Sequence, residues 1–234
     1  MLLTRPRAAS QEFAAALSAR FGSALRPVIA PLMAARFLTP ALPAGDFAGV
    51  ILTSATAAKA ARGLGGTLPA LAWCVGDKTA QAARAAGFQA RSADGDAKAL
   101  VAAILADPPG GALLHLRGKD SRGDVADRLT RAGVPTVAVV VYDQEPQPLD
   151  AQAKALLAAP GPVIVPLFSP RSTTLLAEAL PNPCRASLHL AAMSAAVAEA
   201  AARLPRAALA VARHPEAGAM LDAVAVLQGG IPPP

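Results

Sequence analysis

Short apolar runs alternate along this chain with longer segments in which apolar positions recur at helical spacing. The runs are rich in Val and Leu, without polar alternation, which is typical of parallel strands covered on both faces. Predicted strands lie at residues 2–4, 49–53, 70–75, 111–116, 136–142, 162–168, 187–190 and 207–212. Predicted helices lie at residues 10–21, 57–62, 79–86, 97–106, 122–132, 151–158, 172–180, 194–204 and 216–227. This alternation predicts βαβ units, and Gly87 and Gly133 are predicted to end two of the helices in the left-handed conformation.

An internal repeat organises the chain. VILTSATAAKAA at residues 50–61 resembles VIVPLFSPRSTTLLAEA at 163–179, and WCVGDKTAQAARAAGF at 73–88 resembles LHLAAMSAAVAEAAARL at 188–204. Aligning Ser54 with Ser169 gives an offset of 115 residues, and aligning Thr79 with Ser194 gives the same offset. The repeat predicts two related α/β domains with parallel sheets.

Two clusters of helix- and strand-breaking residues, around Pro40 and Pro146, mark the predicted linkers at about 37–45 and 139–148. The first strand and helix precede the first copy of the repeat, so we assign them to the domain that contains the second copy. The predicted domains are therefore a discontinuous domain 1, residues 1–36 plus 149–234, and an inserted domain 2, residues 46–138.

The composition narrows the classes of partner. Hydrophobic residues make up 53% of the chain and aromatic residues only 3%, so the apolar mass is mostly Ala, Leu and Val. The net charge of +6 indicates either a solvated basic surface or an anionic partner. The basic residues are scattered and few rings are available to stack on bases, which argues against a nucleic acid.

Cysteine and histidine give no sign of a metal or a disulfide framework. Cys74 and Cys184 are the only cysteines, and we interpret both as free thiols in a reducing compartment. The three histidines show no ligand spacing with either cysteine. Arg5 and Arg7 interrupt the first residues before a signal-peptide pattern develops, and no apolar run of about 20 residues predicts a membrane span. We therefore expect a cytoplasmic protein without a metal.

Hydroxyl side chains follow corresponding strands in both copies of the repeat. Ser54 follows one strand and Ser169 its counterpart, while Thr79 and Ser194 stand near the starts of the next helices. Ligands of parallel α/β sheets bind beyond the carboxyl ends of the strands, where helix N-termini favour carboxylates. Ser and Thr are also the commonest helix N-caps, so any one of these residues taken alone is structural by default. Their duplication favours a site for a large polyanion.

Two further features follow strands of the predicted inserted domain. The loop RGKDSR at residues 117–122 offers Arg117, Lys119 and Arg122 to carboxylates, although a solvated loop explains the same composition. Tyr142, the only tyrosine, ends an apolar strand, where its ring can pack while its hydroxyl reaches a site, although a lone tyrosine at a strand end is more often a packing residue. Neither a Ser-His-Asp pattern nor HExxH is present, so an orthodox hydrolase or metalloenzyme finds little support.

These residues, in this order, resemble the uroporphyrinogen-III synthase family. The family segments concerned are TS-x-x-A, VG-x-x-T-A, a block RG…R…L…L…G, VY-x-x-x-P and FTSPS. The chain begins with LLTRP at residues 2–6, which also resembles the family. The matching segments are ILTSATAA at 51–58, CVGDKTAQAARAAGF at 74–88, LRGKDSRGDVADRLTRAG at 116–133, VVYDQEP at 140–146 and FSPRS at 168–172. The resemblance extends over nearly the whole chain.

The resemblance implies two α/β domains joined by a two-stranded linker, with a cleft between them. It implies a lyase that needs no cofactor and converts hydroxymethylbilane into uroporphyrinogen III, with loss of water and inversion of ring D. The expected route passes through an azafulvene-type cation and a spiro intermediate. Such an enzyme serves the synthesis of tetrapyrroles such as heme, chlorophyll and cobalamin. We expect a monomer with a small-molecule substrate, transient contact with hydroxymethylbilane synthase, and no nucleic acid or membrane as partner.

The resemblance also suggests roles for individual residues. Tyr142 is the best candidate to protonate the departing hydroxyl group. The residues predicted to bind substrate carboxylates are Thr79, Ser54, Ser169 and Ser194, with Arg5 and Arg117 either binding substrate or supporting the fold. The chain departs from the family at AAMSAAV, residues 191–197, where IG-x-T-T-A is usual and Ser194 is taken to replace a threonine. Asp143 and Gln144 also replace the commoner Arg-Thr after the tyrosine.

Two other functions fit parts of the pattern. A non-enzymatic, two-lobed module that binds an anionic small molecule would share the duplicated site, although such receptors usually carry a signal peptide. A nucleic-acid-binding protein is suggested by the net charge alone. Ligand binding without turnover would favour the first, and DNA binding with a steep salt dependence would favour the second.

Overall fold

A computed structural model describes residues 1–120 and 124–231 of the chain. Arg122 and the first residues of the helix predicted at 122–132 lie outside the described residues. The chain forms two compact units, which are described separately: unit 1 comprises Met1–Ala34 and Pro146–Pro234, and unit 2 comprises Ala35–Glu145. The boundaries fall within strand β3 and at the end of strand β8, which are neighbours in one sheet.

Unit 2 is built on a sheet of order β3-β8-β7-β4-β5-β6. Neighbouring strands from β8 to β6 are parallel, as the sequence predicted. The strands are β3 (Met33–Phe37), β4 (Phe47–Leu52), β5 (Leu71–Cys74), β6 (Gln89–Ser92), β7 (Ala112–Gly118) and β8 (Thr136–Pro146). The helices are α2 (Ala55–Ala61), α3 (Asp77–Ala85), α4 (Ala97–Ala106) and α5 (Val125–Arg131).

The core of unit 2 lies on both faces of this sheet. Val50 and Leu52 of β4 pack on one face with the alanines of α2 and α3. Ile51 points to the other face and packs with Leu100 of α4 and Leu129 of α5. Each fully buried aliphatic side chain stabilises the fold by about 1.5–3 kcal/mol, which explains the apolar strands without polar alternation.

Unit 1 contains parallel sheets with orders β1-β2 and β11-β10-β9, and β1 lies against β9. Its strands are β1 (Leu2–Leu3), β2 (Val28–Ile29), β9 (Gly161–Leu167), β10 (Ala186–Ala192) and β11 (Ala208–Val211). Its helices are α1 (Arg7–Phe21), α6 (Ala151–Ala158), α7 (Pro170–Ala179), α8 (Ala195–Ala200) and α9 (Ala217–Gly229).

The core of unit 1 is also divided by its strands. Val165 and Leu167 of β9 pack against α6, α7 and α8. Ile164 packs on the opposite side with residues of α1 and α9, among them Phe13 and Val224. Both units therefore have helices on both faces of their strands, and the predicted α/β class with parallel sheets is confirmed.

The structure adds three strands to the predicted set, namely β2, β3 and β6. The predicted linkers at 37–45 and 139–148 lie mostly in unit 2, because β8 continues to Pro146 and pairs with β3. The helix predicted at 194–204 ends at Ala200 and continues as a short 3₁₀ turn, Ala201–Arg203.

Two of the predicted helix ends are confirmed in detail. Gly87 has a φ of 95° and Gly133 a φ of 90°, the left-handed region that glycine adopts without a steric penalty. The following residues, Phe88 and Val134, donate backbone hydrogen bonds back to the last turns of α3 and α5. Cys74 and Cys184 are free, and no helix in the described part of the chain is long and apolar enough to span a membrane.

Candidate active site

Ser54 links β4 to α2 and is the N-cap of that helix. Its backbone is extended, with φ −153° and ψ 149°, and its Oγ accepts a hydrogen bond of 3.1 Å from the Ala57 N–H. Serine is suited to this position because its short side chain can satisfy an N–H group that the first helical turn leaves unpaired. The cap fixes the Ser54 hydroxyl at the carboxyl end of β4.

Tyr142 meets Ser54 at this edge of the sheet. The Tyr142 Oη and Ser54 Oγ atoms are 3.0 Å apart, and either can be the donor. The ring of Tyr142 is partly buried against the core face that α2 and α3 cover. The structure thus brings together two residues that the sequence predicted separately.

A β-bulge directs the Tyr142 side chain. Arg117 of β7 is opposite Val140 of β8, whereas the next residue, Gly118, is opposite Tyr142, so Val141 is the extra residue. Val141 is buried in the core under α2 and α3, and regular alternation would turn the following residue to the opposite face. The bulge instead brings Tyr142 to the same face, in keeping with the frequent use of bulges to re-aim side chains.

The loop after β7 is tied to β8. The Arg117 Nη1 group donates to the carbonyl oxygens of Gly118 and Lys119, at 3.1 and 3.2 Å. The Lys119 N–H donates to the Tyr142 carbonyl oxygen at 2.9 Å, and the Lys119 ammonium lies 3.3 Å from the Asp143 carboxylate. These contacts hold the loop after β7 against Tyr142 and Asp143. Arg122, also considered as a carboxylate ligand, lies outside the described residues.

His115 is a polar residue of this edge that the sequence reasoning considered only as a metal ligand. Its side chain is 2% exposed, and its Nε2 lies 3.4 Å from the Thr53 hydroxyl. Burial, with a smaller contribution from the charge of Arg117, lowers the pKa of His115 to about 4, so the ring is neutral at pH 7. The sequence signal for this residue is a histidine inside the apolar run LLHL, which predicts a buried titratable side chain.

Thr79 lies near the other helix start in unit 2. It is the third residue of α3, and the N-cap position belongs to Gly76. Thr79 is 6% exposed, and its backbone N–H donates to the Gly76 carbonyl oxygen at 3.0 Å. The hydroxyl therefore belongs to a buried side chain within the first turn.

Ser169 of unit 1 reproduces the conformation of Ser54. Its φ and ψ are −152° and 148°, it is the N-cap of α7, and its Oγ accepts from the Ser172 N–H at 3.2 Å. The Ser169 and Ser172 hydroxyls are 2.8 Å apart. The internal repeat is thus confirmed at this pair, with the predicted offset of 115.

The predicted alignment of Thr79 with Ser194 is wrong. Leu52 of β4 pairs with Cys74 of β5, while its counterpart Leu167 of β9 pairs with Ala192 of β10. The second half of each repeat is therefore offset by 118 residues. Ser194, the N-cap of α8, corresponds to Gly76, and Thr79 corresponds to the buried Val197. The offset differs because the segment between Leu167 and Ala192 is three residues longer than the one between Leu52 and Cys74.

Arg5 occupies a strand end in unit 1 that resembles the position of Arg117 in unit 2. It follows β1, which lies against the strand that leads to Ser169, just as β7 is the neighbour of β4. The Arg5 guanidinium stacks on the Phe168 ring, 4.2 Å from its centroid. Burial lowers the pKa of Arg5, the charge of Glu12 acts in the opposite direction, and arginine stays protonated at neutral pH.

The sequence matches one known protein family over most of its length. The sequence model of the family described as Uroporphyrinogen-III synthase HemD matches residues 11–222. This chain belongs to the uroporphyrinogen-III synthase family. Its main function accordingly lies in tetrapyrrole biosynthesis. No curated protein searched matches the chain.

A solved structure of a synthase shares the fold of this chain. Uroporphyrinogen-III synthetase from Helicobacter pylori is 14% identical to this chain, with a TM-score of 0.61 over 88% of this chain and 94% of that one. A mutant uroporphyrinogen III synthase from Thermus thermophilus is 16% identical, with a TM-score of 0.46 over 98% of each chain. The first of these supports the two-domain α/β fold.

The corrected repeat changes how this chain departs from the synthase family. When Ser194 is placed opposite Gly76, the usual segment IG-x-T-T-A falls on residues 193–198. Ser194 then replaces the glycine, and Ala196 and Val197 replace the threonines. The statement that Ser194 stands for a threonine is therefore wrong. Its side chain makes no capping hydrogen bond to α8.

In the described part of the synthase-family chain, no three His, Cys, Asp or Glu side chains are grouped so that they could hold a metal ion. The polar groups near the strand ends of unit 2 are the paired hydroxyls of Tyr142 and Ser54, the neutral imidazole of His115 beside Thr53, and the Arg117 guanidinium. Such groups can donate hydrogen bonds, hold a proton and contact carboxylates.

Proposed function

We propose that this chain is a lyase that converts hydroxymethylbilane into uroporphyrinogen III, with loss of water and inversion of ring D. The observation that carries the proposal is the hydrogen bond between Tyr142 and Ser54 in a chain whose family membership extends over residues 11–222. The reaction needs an acid that protonates the departing hydroxyl group of the substrate. It also needs side-chain hydroxyl groups of the protein that hold the anionic substrate. Both kinds of group are available in unit 2.

In the proposed mechanism, the Tyr142 O–H donates its proton to the terminal hydroxyl group of the substrate, which leaves as water. The resulting azafulvene-type cation is attacked by the substituted end of ring D, and the spiro intermediate rearranges. The ring carbon of the closed product then loses a proton, which restores the Tyr142 phenol. The proton balance is therefore closed, and the net reaction releases one water molecule.

Ser54 assists Tyr142 in this proposal. Its Oγ already accepts from the Ala57 N–H, so its orientation is fixed before the substrate arrives. A fixed partner 3.0 Å from the Tyr142 Oη restricts the directions in which the phenol can point. Positioning of an acid in this way contributes to catalysis without a change in its acidity.

The substrate carries one acetate and one propionate on each pyrrole, which suits a chain with a net charge of +6. We propose that Thr79 and Arg117 of unit 2 and Ser169, Ser194 and Arg5 of unit 1 bind these carboxylates, as does Ser54. The stacking of Arg5 on Phe168 supports its role, because it holds the guanidinium in place. We also propose a cytoplasmic monomer that uses no cofactor.

The test is a coupled assay. Porphobilinogen and hydroxymethylbilane synthase supply the substrate, this chain is added, and the oxidised porphyrin isomers are separated by chromatography. Spontaneous closure gives the type I isomer, so we expect the product to shift to type III in proportion to the amount of chain. Type I alone from folded protein would contradict the proposal. Saturable binding of hydroxymethylbilane in the same preparation would then identify an anion-binding module.

A further inference from the structure

Tyr142 reaches Ser54 from two strands away. The strand order places β7 between β8, which carries Tyr142, and β4, which leads to Ser54. Neighbouring strands are about 4.8 Å apart, so the carboxyl ends of β8 and β4 are about 10 Å apart. The tyrosine side chain must therefore cross β7 to make its hydrogen bond.

The crossing takes place at Gly118, the last residue of β7. A Cβ atom added to Gly118 would lie 2.6 Å from the Tyr142 Cζ, 2.8 Å from its Cε2 and 2.8 Å from its Oη. These separations are far shorter than a van der Waals contact of about 3.5–4.0 Å between carbon atoms. The ring thus lies directly against the backbone of β7.

The backbone conformation at residue 118 does not by itself require a glycine. Gly118 is not among the glycines with positive φ, so a residue with a side chain can adopt its conformation without strain. Gly118 is also buried, and its neighbour Lys119 donates to the Tyr142 carbonyl oxygen. The Tyr142 ring is therefore the specific obstacle to a side chain at residue 118.

We propose that Gly118 is a positioning residue for the reaction, because its missing side chain allows Tyr142 to cross β7 and present its hydroxyl beside Ser54. The proposal rests on the proposed role of Tyr142 as proton donor. Any larger residue at 118 lifts the ring from β7 and separates the phenol from Ser54.

The first test is Gly118→Ala in the coupled assay. A displacement of about 1 Å can reduce turnover by about 100-fold, so we expect a loss of that order in kcat for type III formation, with KM changed by less than about threefold. Gly110→Ala is the matched control, because a Cβ at Gly110 meets no atom within 4 Å. We expect Gly110→Ala to retain wild-type turnover.

The second test separates the ring contact from other effects of the substitution. In the Tyr142→Ala background neither the ring nor the acid remains, so Gly118→Ala should fit and should lower turnover no further. If Gly118→Ala alone fails to fold, the Gly118→Ala/Tyr142→Ala variant should fold. An equal further loss of turnover or stability in the Tyr142→Ala background would overturn the proposal.

A spectroscopic test does not depend on turnover. Tyr142 is the only tyrosine, so protein labelled with ¹³C at the tyrosine Cζ gives one resonance that reports this ring alone. We expect Gly118→Ala to shift that resonance and Gly110→Ala to leave it unchanged. Wild-type turnover with an unshifted resonance in Gly118→Ala would overturn the proposal.

The outcomes also distinguish this proposal from the one on which it rests. Wild-type turnover of Tyr142→Phe would overturn the proton-donor role of Tyr142 and, with it, the role of Gly118. A strong loss in Tyr142→Phe together with wild-type turnover in Gly118→Ala would overturn the positioning role alone.

Discussion

His115 illustrates how one buried side chain couples this fold to pH. It is a residue of β7, its Nε2 lies 3.4 Å from the Thr53 hydroxyl, and the charge of Arg117 acts on its ring. Both burial and the positive charge disfavour a second cation, so the pKa of His115 is lowered to about 4. At neutral pH the ring can hold a hydrogen bond but cannot act as a protonated acid.

This pKa predicts a loss of stability in mild acid. Between pH 6.5, its ordinary pKa, and about 4, the unfolded chain binds a proton at His115 that the folded chain does not. The free energy of unfolding should therefore fall as the pH is lowered through this range, by up to about 3 kcal/mol. In His115→Gln, the part of this fall in the free energy of unfolding that comes from His115 should be absent. Urea unfolding of both proteins between pH 4 and 7 measures the difference, and identical pH dependence would contradict the prediction.

Sequence reasoning identified Tyr142, Ser54 and Arg117 as candidates from their places after apolar strands. It could not identify the contact between Tyr142 and Ser54, because these residues are 88 positions apart and meet only through the order of β4, β7 and β8. The pattern of apolar and polar residues does not predict the bulge that turns Tyr142 toward Ser54. His115 was passed over because a single histidine in an apolar strand has no spacing to interpret.

Among the helices, α2 and α7 begin with serine caps of the same conformation, which the two copies of the repeat share. Ser54 and Ser169 agree within 1° in both φ and ψ, and each accepts from the N–H three residues later. The pairing of β4 with β5 and of β9 with β10 shows that the second half of the repeat is offset by 118 residues. The alanine-rich sequence concealed this change of register, because Ala-rich helices align almost equally well at several offsets.

The cap of α2 predicts a double effect for Ser54→Ala. The substitution removes the hydrogen bond from the Ala57 N–H, so the free energy of unfolding should fall by about 1 kcal/mol. It also removes the partner of Tyr142, so type III formation should fall by about tenfold. Denaturant unfolding and the isomer assay measure the two effects separately.

Asp150→Ala is the matched control for this prediction. Asp150 caps α6 by accepting from the Ala153 N–H at 2.8 Å, and no step of the proposed reaction uses it. Its loss should lower stability by about the same 1 kcal/mol without changing the assay. An equal loss of activity in Asp150→Ala would mean that Ser54 acts only through stability.

Two of the three strands that sequence reasoning missed share a physical cause. β3 and β6 are the edges of the sheet in unit 2, and β6 has the sequence QARS, while four of the five residues of β3 are exposed. Edge strands are covered on fewer sides, so they need no continuous apolar run. The apolar strands β4, β5, β7 and β8 were each predicted from the sequence, although their observed ends differ from the predicted ones by up to four residues.

At the scale of the whole molecule, the net charge of +6 predicts a salt effect on catalysis. A positive field attracts the polycarboxylate substrate, and salt screens that field. We expect kcat/KM to fall by about tenfold between about 10 mM and 0.5 M salt, with kcat changed much less. Initial rates at several salt concentrations provide the measurement. A kcat/KM value that does not depend on salt would show that the charge does not assist substrate capture.

The proposed reaction depends on Tyr142 as the donor of the proton that releases the hydroxyl group of the substrate. The most direct test compares wild-type protein with Tyr142→Phe in the isomer assay, because phenylalanine keeps the ring over Gly118 and removes only the hydroxyl. We predict that kcat for type III formation falls by about 100-fold or more, with little change in KM. Wild-type turnover of Tyr142→Phe would show that Tyr142 is not the proton donor.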